Sequence, residues 1–231
     1  MKAVAIIPAG GAGKRMRGNL SKQYLLLNGV PILAHTLMAF QNSPMINGII
    51  LIVPTSDVEF ATRLIVRKYG ISKVSHVLPG GKERQDSVKA GLDVVGNGYD
   101  VVVVHDGVRP VISGELIRLS VLEAYNEKAV ITAVPVKETV KMVDQDGWIL
   151  QTLERKNLWL IQTPQAFQRD IIQDAYRLAY HDGYYGTDDA ALVERIGVRV
   201  KVIPGSYENI KITTRDDLLF AKEFMKAKVA K

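Results

Sequence analysis

In AVAIIPAGGAGKRM, residues 3–16, a short apolar run leads directly into glycines and basic residues. The run AVAIIP is continuous and rich in β-branched side chains, which is typical of a strand buried on both faces of a parallel sheet. Four further runs of this kind follow: GIILIVP at 48–54, VVVVHD at 101–106, AVITAVPV at 129–136 and VRVKVIPG at 198–205. Helical patterns lie between these runs, and this alternation predicts an α/β fold with an open, mostly parallel sheet and helices on both faces. In such a sheet, ligands bind at the carboxyl ends of the strands.

Residues with capping chemistry predict where several helices begin. Ser56 is the expected N-cap of a helix over SDVEFATRLIVRKY, and Ser113 is the expected N-cap of SGELIRLSVLEAYNEK. A third pattern, AFQRDIIQDAYRLAY, predicts a helix that begins at Ala166.

The composition indicates a folded protein with one concentrated basic region. Of 231 residues, 47% are apolar, yet no apolar run reaches the length of about 18 residues that a membrane span needs. The chain contains no cysteine, which excludes disulfides, thiolate zinc sites and cysteine nucleophiles and suits the cytoplasm. The net charge is 30 − 24 = +6, and residues 1–56 carry +5 of it because they contain no Asp or Glu. This concentration predicts a local anion site, and we expect neither nucleic acid nor a membrane as a partner.

The alternation of strand and helix breaks between residues 136 and 160. Here VKETVKMV, a turn at 144–147 and WILQTLE predict a two-stranded hairpin. An isolated ribbon is marginal in water and cannot cover Trp148, Ile149 and Leu150 by itself. We therefore expect an arm that packs against another subunit. No repeat or linker marks a second domain, so residues 1–231 are expected to form one domain that includes the arm.

The glycine-rich stretch after the first strand matches neither of two common nucleotide motifs. Met16 stands where a G-x-G-x-x-G fingerprint needs its third glycine, and no acidic residue follows within the next 40 positions to hold a ribose. Lys14 is followed by Arg15 instead of the Ser or Thr of a P-loop. What remains is three glycines within four residues, together with the cations Arg15 and Lys22. This combination indicates a nucleoside triphosphate site, the alternative being a glycine-rich turn with a solvated basic face.

Two further polar segments follow strand-like runs. In HDGVRP, at 105–110, Asp106 is an oxygen ligand of the kind that Mg²⁺ takes beside a polyphosphate, and Arg109 needs an anionic partner. A helix cap or a turn aspartate is the alternative for Asp106. His105 has no second histidine at metal spacing and is interpreted as a core residue.

The second segment is PGGKERQDSV, residues 79–88, which follows the run VSHVLP. It places a glycine pair and Arg84 at the carboxyl end of this predicted strand. Ser87 is expected to cap or open the next helix. An ordinary strand-to-helix turn would have the same sequence features.

Taken together and in this order, eight motifs closely resemble the 2-C-methyl-D-erythritol 4-phosphate cytidylyltransferase family over essentially the whole chain. They are PAGGAGKRM, KQYL, PILAHTL, GGKERQDSV, HDGVRP, ERKNLWLIQTPQAF, TDDAALVE and NIKITT. The resemblance implies a Rossmann-like three-layer α/β/α nucleotidyltransferase fold with a protruding β-hairpin arm. It also implies that the cytidylyl group of CTP is transferred to methylerythritol phosphate, with release of pyrophosphate, for isoprenoid precursor synthesis.

The resemblance assigns roles in nucleotide binding and catalysis residue by residue. Arg15 and Lys22 match the pair that stabilises the transition state. The residues that match the CTP-binding positions are Ala9, Gly10, Gly11, Gly13, Gly81, Arg84 and Ser87. Because the attacking phosphate is a dianion, the reaction needs no general base near neutral pH.

For the second substrate, Arg155 and Lys211 match two cations that hold the attacking phosphate. Thr163, Thr187 and Arg109 belong to the same substrate-binding set. Asp106 matches the residue near the methylerythritol phosphate and the metal, which is Mg²⁺ or another divalent cation. In the family the arm hooks onto a second subunit, so we expect a homodimer in which Arg155 serves the partner's site.

Three alternatives are considered, the first of them another cytidylyltransferase and the other two from different classes. A ribitol 5-phosphate cytidylyltransferase looks similar in every CTP-facing motif and differs mainly in its alcohol pocket. A nucleotide-binding regulator without catalysis would keep the glycines but would not need Arg15 and Lys22 together with a second cation pair. A hydride-transferring Rossmann enzyme would need the missing third glycine and acidic residue.

Overall fold

The computed structural model describes residues 1–10 and 21–229, and within this part of the chain a seven-stranded sheet forms the centre. The strands are β1 (Ala3–Pro8), β2 (Leu26–Leu27), β3 (Val30–Pro31), β4 (Ile46–Val53), β5 (Val74–Pro79), β6 (Val101–Val104), β7 (Ala129–Pro135), β8 (Lys141–Val143), β9 (Ile149–Thr152), β10 (Trp159–Gln168) and β11 (Lys201–Pro204). The helices are α1 (Ile32–Gln41), α2 (Val58–Ala61), α3 (Arg84–Leu92), α4 (Gly114–Glu127), α5 (Arg169–His181), α6 (Asp189–Arg195) and α7 (Arg215–Val229).

The predicted mostly parallel sheet is confirmed, with strand order β11-β7-β10-β6-β1-β4-β5. Strands β6, β1, β4 and β5 run parallel to one another, and β11 runs parallel to β7. Strand β10 is antiparallel to both of its neighbours, β6 and β7. As a result, the segment that precedes Gln165 in β10 extends past the carboxyl end of β6, where the ligand site was expected.

The helix predicted to begin at Ala166 in fact begins at Arg169, so this prediction is wrong by three residues. Ala166 and Phe167 belong to β10, where they pair with Val103 and Val102 of β6 and are fully buried. Pairing with strands on both sides overrides the local helical pattern there.

Two apolar clusters cover the two faces of the sheet, as the period of two in a strand requires. Ala3, Ala5 and Ile7 of β1 pack in the cluster that α1, α2 and α4 cover. Val4 and Ile6 of the same strand pack in the cluster that α3, α5 and α6 cover. This arrangement explains why β1 is apolar at every position.

Of the predicted capping residues, one is confirmed and two are wrong. The Ser113 hydroxyl accepts from the backbone N–H of Leu116 at 3.1 Å, as an N-cap does. Ser56 lies inside a 3₁₀ turn and donates to the carboxylate of Asp57 at 2.9 Å. Ser87 is already the fourth residue of α3.

The start of α3 is closed by other side chains. Its N-cap is Glu83, whose backbone N–H donates to the Asp86 carboxylate at 2.9 Å. A carboxylate at this position satisfies a backbone donor that the helix itself leaves unpaired, so no serine is needed.

The predicted hairpin is formed by β8 and β9, which pair antiparallel. Its apolar side chains are exposed in the single chain, as expected: Trp148 is 74% exposed, Ile149 62% and Leu150 61%. None of the helices in the described part of the chain has the length and apolar character that crossing a membrane requires.

Candidate active site

A cavity of about 290 Å³ lies at the carboxyl ends of β1, β5 and β6. Parallel strands bring the segments that follow them to one edge of the sheet, which is why three distant parts of the sequence meet here. The predicted residues that line it are Ala9, Gly10, Lys22, Gly81, Arg84, Ser87, Asp106 and Lys211. Gly11, Gly13 and Arg15 lie outside the described residues, so their predicted roles stay predictions.

Lys22 is presented to this cavity by a short, anchored turn. The turn is a 3₁₀ helix, Lys22–Tyr24, in which Gln23 and Tyr24 are buried. The Tyr24 ring packs edge-on against Phe60 with ring centroids 4.8 Å apart. Burial of two consecutive residues fixes the turn, so the position of Lys22 is set by packing.

Gly81 is a glycine for a steric reason. A Cβ atom at this position would lie 2.2 Å from the Cβ of Asp86, closer than two non-bonded carbon atoms can approach. The Asp86 carboxylate also accepts hydrogen bonds from the hydroxyls of Tyr180, at 2.6 Å, and Tyr185, at 2.9 Å. The wall of the cavity at Gly81 is therefore held in place by α3 and α5 together.

A second cavity of about 300 Å³ adjoins the first on the β10 side. Its lining residues outside the first cavity come from three separate parts of the chain: Arg109, β10 with Thr163, and the segment that contains Thr187 and Asp188. The two cavities share three residues: Arg84, Asp106 and Lys211. The predicted substrate-binding residues other than Arg155 are thus brought together around these shared charges.

Asp106 is the centre of the shared charges. Its carboxylate lies 3.0 Å from Lys211 Nζ, 3.2 Å from Arg109 Nε and 3.4 Å from Arg84 Nε, and the side chain is 8% exposed. Burial alone would raise the pKa of Asp106, but the positive charges of Arg84, Lys211 and Arg109 outweigh burial and hold this pKa well below its usual range. Asp106 is therefore ionised throughout the neutral range.

Arg84 is held between two carboxylates. Its Nη2 donates to Asp189 at 2.7 Å, and its Nε lies 3.4 Å from Asp106. Asp189 is fully buried and also accepts a 2.5 Å hydrogen bond from the Tyr176 hydroxyl. Burial opposes the charge of Arg84, but Asp189 and Asp106 more than offset burial and raise its pKa above the ordinary arginine value.

Sequence reasoning did not identify Asp189, Tyr176 or Asn209. Asp189 lies in TDDAALVE and Asn209 in NIKITT, both of which were recognised as motifs, so the motifs were a usable signal. Tyr176 lies in the middle of α5 and has no local signal. The Asn209 carbonyl accepts from Arg109 Nη1 at 2.8 Å, which fixes the arginine beside Asp106.

His105 was expected to be a core residue, and it is fully buried. Burial lowers the pKa of His105 to about 4, so the imidazole is neutral. Its ring also contacts Arg109 and Thr163, two residues of the site, and these contacts were not predicted.

Arg155 lies apart from both cavities of its own chain. It is exposed in the 3₁₀ turn Arg155–Asn157 at the base of the arm, where its Nη1 donates to the Lys137 carbonyl at 2.6 Å. The prediction that Arg155 acts in a partner's site stays a prediction.

The predicted metal role of Asp106 depends on the donor atoms present. Among the residues that the structure describes, no three His, Asp or Glu side chains lie together as a metal site. Asp106 is a single carboxylate, and its contact with Arg84, at 3.4 Å, is the longest of its three ion pairs. These donors fit a divalent cation that arrives with nucleotide phosphates and takes one protein carboxylate.

Comparisons with known proteins identify the same family that the motifs at this site resemble. The family described as 2-C-methyl-D-erythritol 4-phosphate cytidylyltransferase (IspD) matches residues 3–227. The enzyme of that name from Syntrophus aciditrophicus is 52% identical over 225 residues, which is 97% of this chain and 96% of the relative. The one from Geobacter metallireducens is 44% identical over 232 residues, covering 99% and 100%.

Solved structures give the same result. The 4-diphosphocytidyl-2C-methyl-D-erythritol synthase from Anaerococcus prevotii superposes with a TM-score of 0.85 at 35% identity, covering 97% of this chain and 96% of that chain. The 2-C-methyl-D-erythritol 4-phosphate cytidylyltransferase from Thermus thermophilus has a TM-score of 0.79 at 27% identity, covering 96% and 98%. The fold is therefore the α/β nucleotidyltransferase fold that was expected, and the ribitol phosphate alternative is not favoured. The chain belongs to the 2-C-methyl-D-erythritol 4-phosphate cytidylyltransferase family and is a nucleotidyltransferase.

Proposed function

We propose that this protein transfers the cytidylyl group of CTP to 2-C-methyl-D-erythritol 4-phosphate and releases pyrophosphate. The observation that carries the proposal is the pair of adjoining cavities that share Arg84, Asp106 and Lys211. A nucleotide in the first cavity and a phosphorylated alcohol in the second would bring their phosphates together at these charges.

The first cavity suits the nucleotide. Ala9 and Gly10 begin the loop after β1, and Gly81, Arg84 and Ser87 form the opposite wall. In the proposal, backbone N–H groups of the loop bind the triphosphate and the Gly81 side receives the cytidine. Lys22, together with Arg15, Gly11 and Gly13 of the glycine-rich sequence, completes the proposed triphosphate site.

The second cavity suits a phosphorylated alcohol. Arg84, Arg109 and Lys211 contribute a cluster of three positive charges to its lining, and the Lys211 side chain is 41% exposed. An acceptor phosphate dianion is attracted to such a cluster. We assign Lys211 and Arg109 to holding this phosphate, with Thr187 at the edge of the same cavity.

The reaction is an in-line attack of an acceptor phosphate oxygen on the α-phosphorus of CTP. The new O–P bond forms as the bond to the β-phosphate oxygen breaks, and pyrophosphate leaves with that electron pair. Lys22 and Arg15 neutralise charge that builds on the phosphates in the transition state. Because the attacking oxygen is already anionic, the protein's task is positioning and charge stabilisation.

Asp106 is the residue that would contact Mg²⁺ or another divalent cation. When bound, such an ion neutralises charge on the phosphates and helps to orient them. The role of the chain's own residues is to keep Asp106 ionised and fixed, which Arg84, Arg109 and Lys211 do.

We further propose a homodimer formed through the arm at 136–160. Trp148, Ile149 and Leu150 form a contiguous exposed apolar segment of the kind that marks an interface. Arg155 at the base of the arm would then contribute its positive charge to the acceptor phosphate in the partner's site. A cysteine-free chain needs no oxidising compartment, so we place its work in the cytoplasm.

A pyrophosphate-release assay over a grid of nucleoside triphosphates and sugar-alcohol phosphates tests the proposal. We expect turnover with CTP and methylerythritol phosphate and at least tenfold lower kcat/KM with ribitol 5-phosphate or with other nucleotides. Higher kcat/KM for ribitol 5-phosphate, or no turnover with methylerythritol phosphate, would contradict the proposal.

A further inference from the structure

The buried side chain of Gln85 joins the first turn of α3 to residues 184–187. Its side-chain NH₂ group donates to the Tyr184 carbonyl at 3.0 Å, and its side-chain oxygen accepts from the backbone N–H of Gly186 at 2.9 Å. A carbonyl only accepts and a backbone N–H only donates, so the two partners fix which end of the amide faces which. Gln85 therefore holds the backbone on both sides of Tyr185.

Residues 184–187 are irregular backbone between α5 and α6, and Thr187 at their end lines the second cavity. Irregular backbone has to obtain its hydrogen-bond partners from neighbouring groups, which here include the amide of Gln85. The Tyr185 hydroxyl adds a 2.9 Å contact with Asp86, but this contact lies at the exposed end of a long side chain. Gln85 binds the backbone itself, up to the residue that directly precedes Thr187.

The residues that follow this segment have anchors of their own. Asp188 is the N-cap of α6, and it also accepts from the side-chain amide of Gln165 in β10 at 2.7 Å. Buried apolar residues of α6 pack in the cluster on the same face of the sheet. Loss of the Gln85 contacts should therefore release residues 184–187 and leave α6, including Asp189, in place.

We propose that Gln85 is a positioning residue for the acceptor, and that it holds Thr187 at the wall of the second cavity through the backbone of residues 184–186. Gln85 itself lies outside the linings of both cavities, so its effect on a substrate has to pass through another residue. Without its two hydrogen bonds the segment samples other positions, and the affinity for the acceptor falls with the fraction of molecules in which Thr187 is correctly placed. The inference rests on the proposed function for the identity of the acceptor.

Gln85→Met nearly keeps the shape of the side chain and removes both hydrogen bonds, and Gln41→Met is its matched control. Gln41 also holds a distant segment at two points, because it accepts from the Lys73 N–H at 2.9 Å and donates to the Ser72 hydroxyl at 3.0 Å. We expect KM for methylerythritol phosphate to rise about fivefold or more in Gln85→Met, with kcat and KM for CTP within about twofold of wild type. Gln41→Met should leave all three constants unchanged.

A double-mutant cycle with Thr187→Val tests whether Gln85 acts through Thr187. Thr187→Val alone should raise KM for methylerythritol phosphate, and adding Gln85→Met should raise it less than about twofold further, because both changes remove the same contribution. Effects that simply multiply would overturn the proposal. So would a wild-type KM for methylerythritol phosphate in Gln85→Met, whether or not KM for CTP rises in its place.

Hydrogen exchange of the Gly186 amide, followed by NMR, gives a readout that does not depend on turnover. We expect this amide to be protected in the wild-type protein and in Gln41→Met, and to exchange about tenfold faster or more in Gln85→Met. A Gly186 amide that exchanges in the wild-type protein as fast as an unprotected one would overturn the proposal, even if Gln85→Met does not fold. Wild-type turnover of CTP with methylerythritol phosphate, measured in the same series, tests the proposed function separately.

Discussion

Replacing Asp189 with Asn is expected to lower the free energy of unfolding by about 3 kcal/mol. Asp189 is fully buried, and it accepts from Arg84 at 2.7 Å and from the Tyr176 hydroxyl at 2.5 Å. Removing one partner of a buried ion pair costs about 3–5 kcal/mol, because the remaining charge is left uncompensated. The lower end applies here, since Asn still has an acceptor oxygen and Arg84 keeps its 3.4 Å contact with Asp106.

Asp188→Asn is the matched control, one residue away in the same motif. Asp188 accepts from the Ala191 N–H at 3.0 Å, as the N-cap of α6, and from the Gln165 side-chain amide at 2.7 Å. Both donors are neutral, and Asn is as good an N-cap as Asp, so this change should cost less than about 1 kcal/mol.

Urea unfolding of the wild-type protein and the two variants at neutral pH measures the difference. The m value should be unchanged, so that the shift in midpoint reports stability alone. Because Asp106 would then be the one carboxylate left to hold Arg84 in the ion pairs described above, kcat/KM should also fall roughly tenfold in Asp189→Asn. If the two variants differed by less than about 0.5 kcal/mol, the reasoning that Asp189 compensates Arg84 would be refuted.

Three further predictions concern catalysis. Lys22→Ala and Arg15→Ala should each lower kcat by roughly 10² or more with the circular dichroism spectrum unchanged, and a rise in KM for CTP alone would make the loop a plain binding element. Asp106→Asn should weaken the dependence on Mg²⁺ in a titration, whereas an unchanged curve would assign Asp106 to the acceptor or to structure. Mixing the inactive variants Lys22→Ala and Arg155→Ala should restore at most about one quarter of wild-type activity, since half of randomly exchanged dimers are mixed and each has one intact site. Confirmed heterodimers without recovery would place Arg155 in its own subunit's site.

The sequence was sufficient for the elements whose signal is local. The buried strands could be predicted because β1, β4 and β6 are apolar at nearly every position, as burial on both faces requires. The location of the site at the carboxyl ends of the strands could be predicted because these strands run parallel. Asp106 was found because it lies two residues after the run of β6, and Gly81 because it lies two residues after the predicted strand VSHVLP.

What the sequence could not supply depends on contacts between distant segments. The local sequence predicts a helix that begins at Ala166, because the strands that pair with this residue, β6 and β7, lie more than 30 positions away and leave no local signal. His105 was predicted as an ordinary core residue because Thr163, which it contacts, lies 58 positions away in the sequence. Asp189 pairs with Arg84 across 105 positions, so its compensating charge has no local signature.

In the proposed reaction, the acceptor phosphate attacks the α-phosphorus of CTP directly. Methylerythritol phosphate labelled with ¹⁸O in its phosphoryl oxygens, incubated with CTP and the enzyme, tests this claim by ³¹P NMR of the products. Direct attack predicts ¹⁸O in the oxygen that bridges the two phosphorus atoms of the product, so that both resonances carry an isotope shift, while pyrophosphate is unlabelled. A product whose bridging oxygen lacks the label, or labelled pyrophosphate, would contradict the claim.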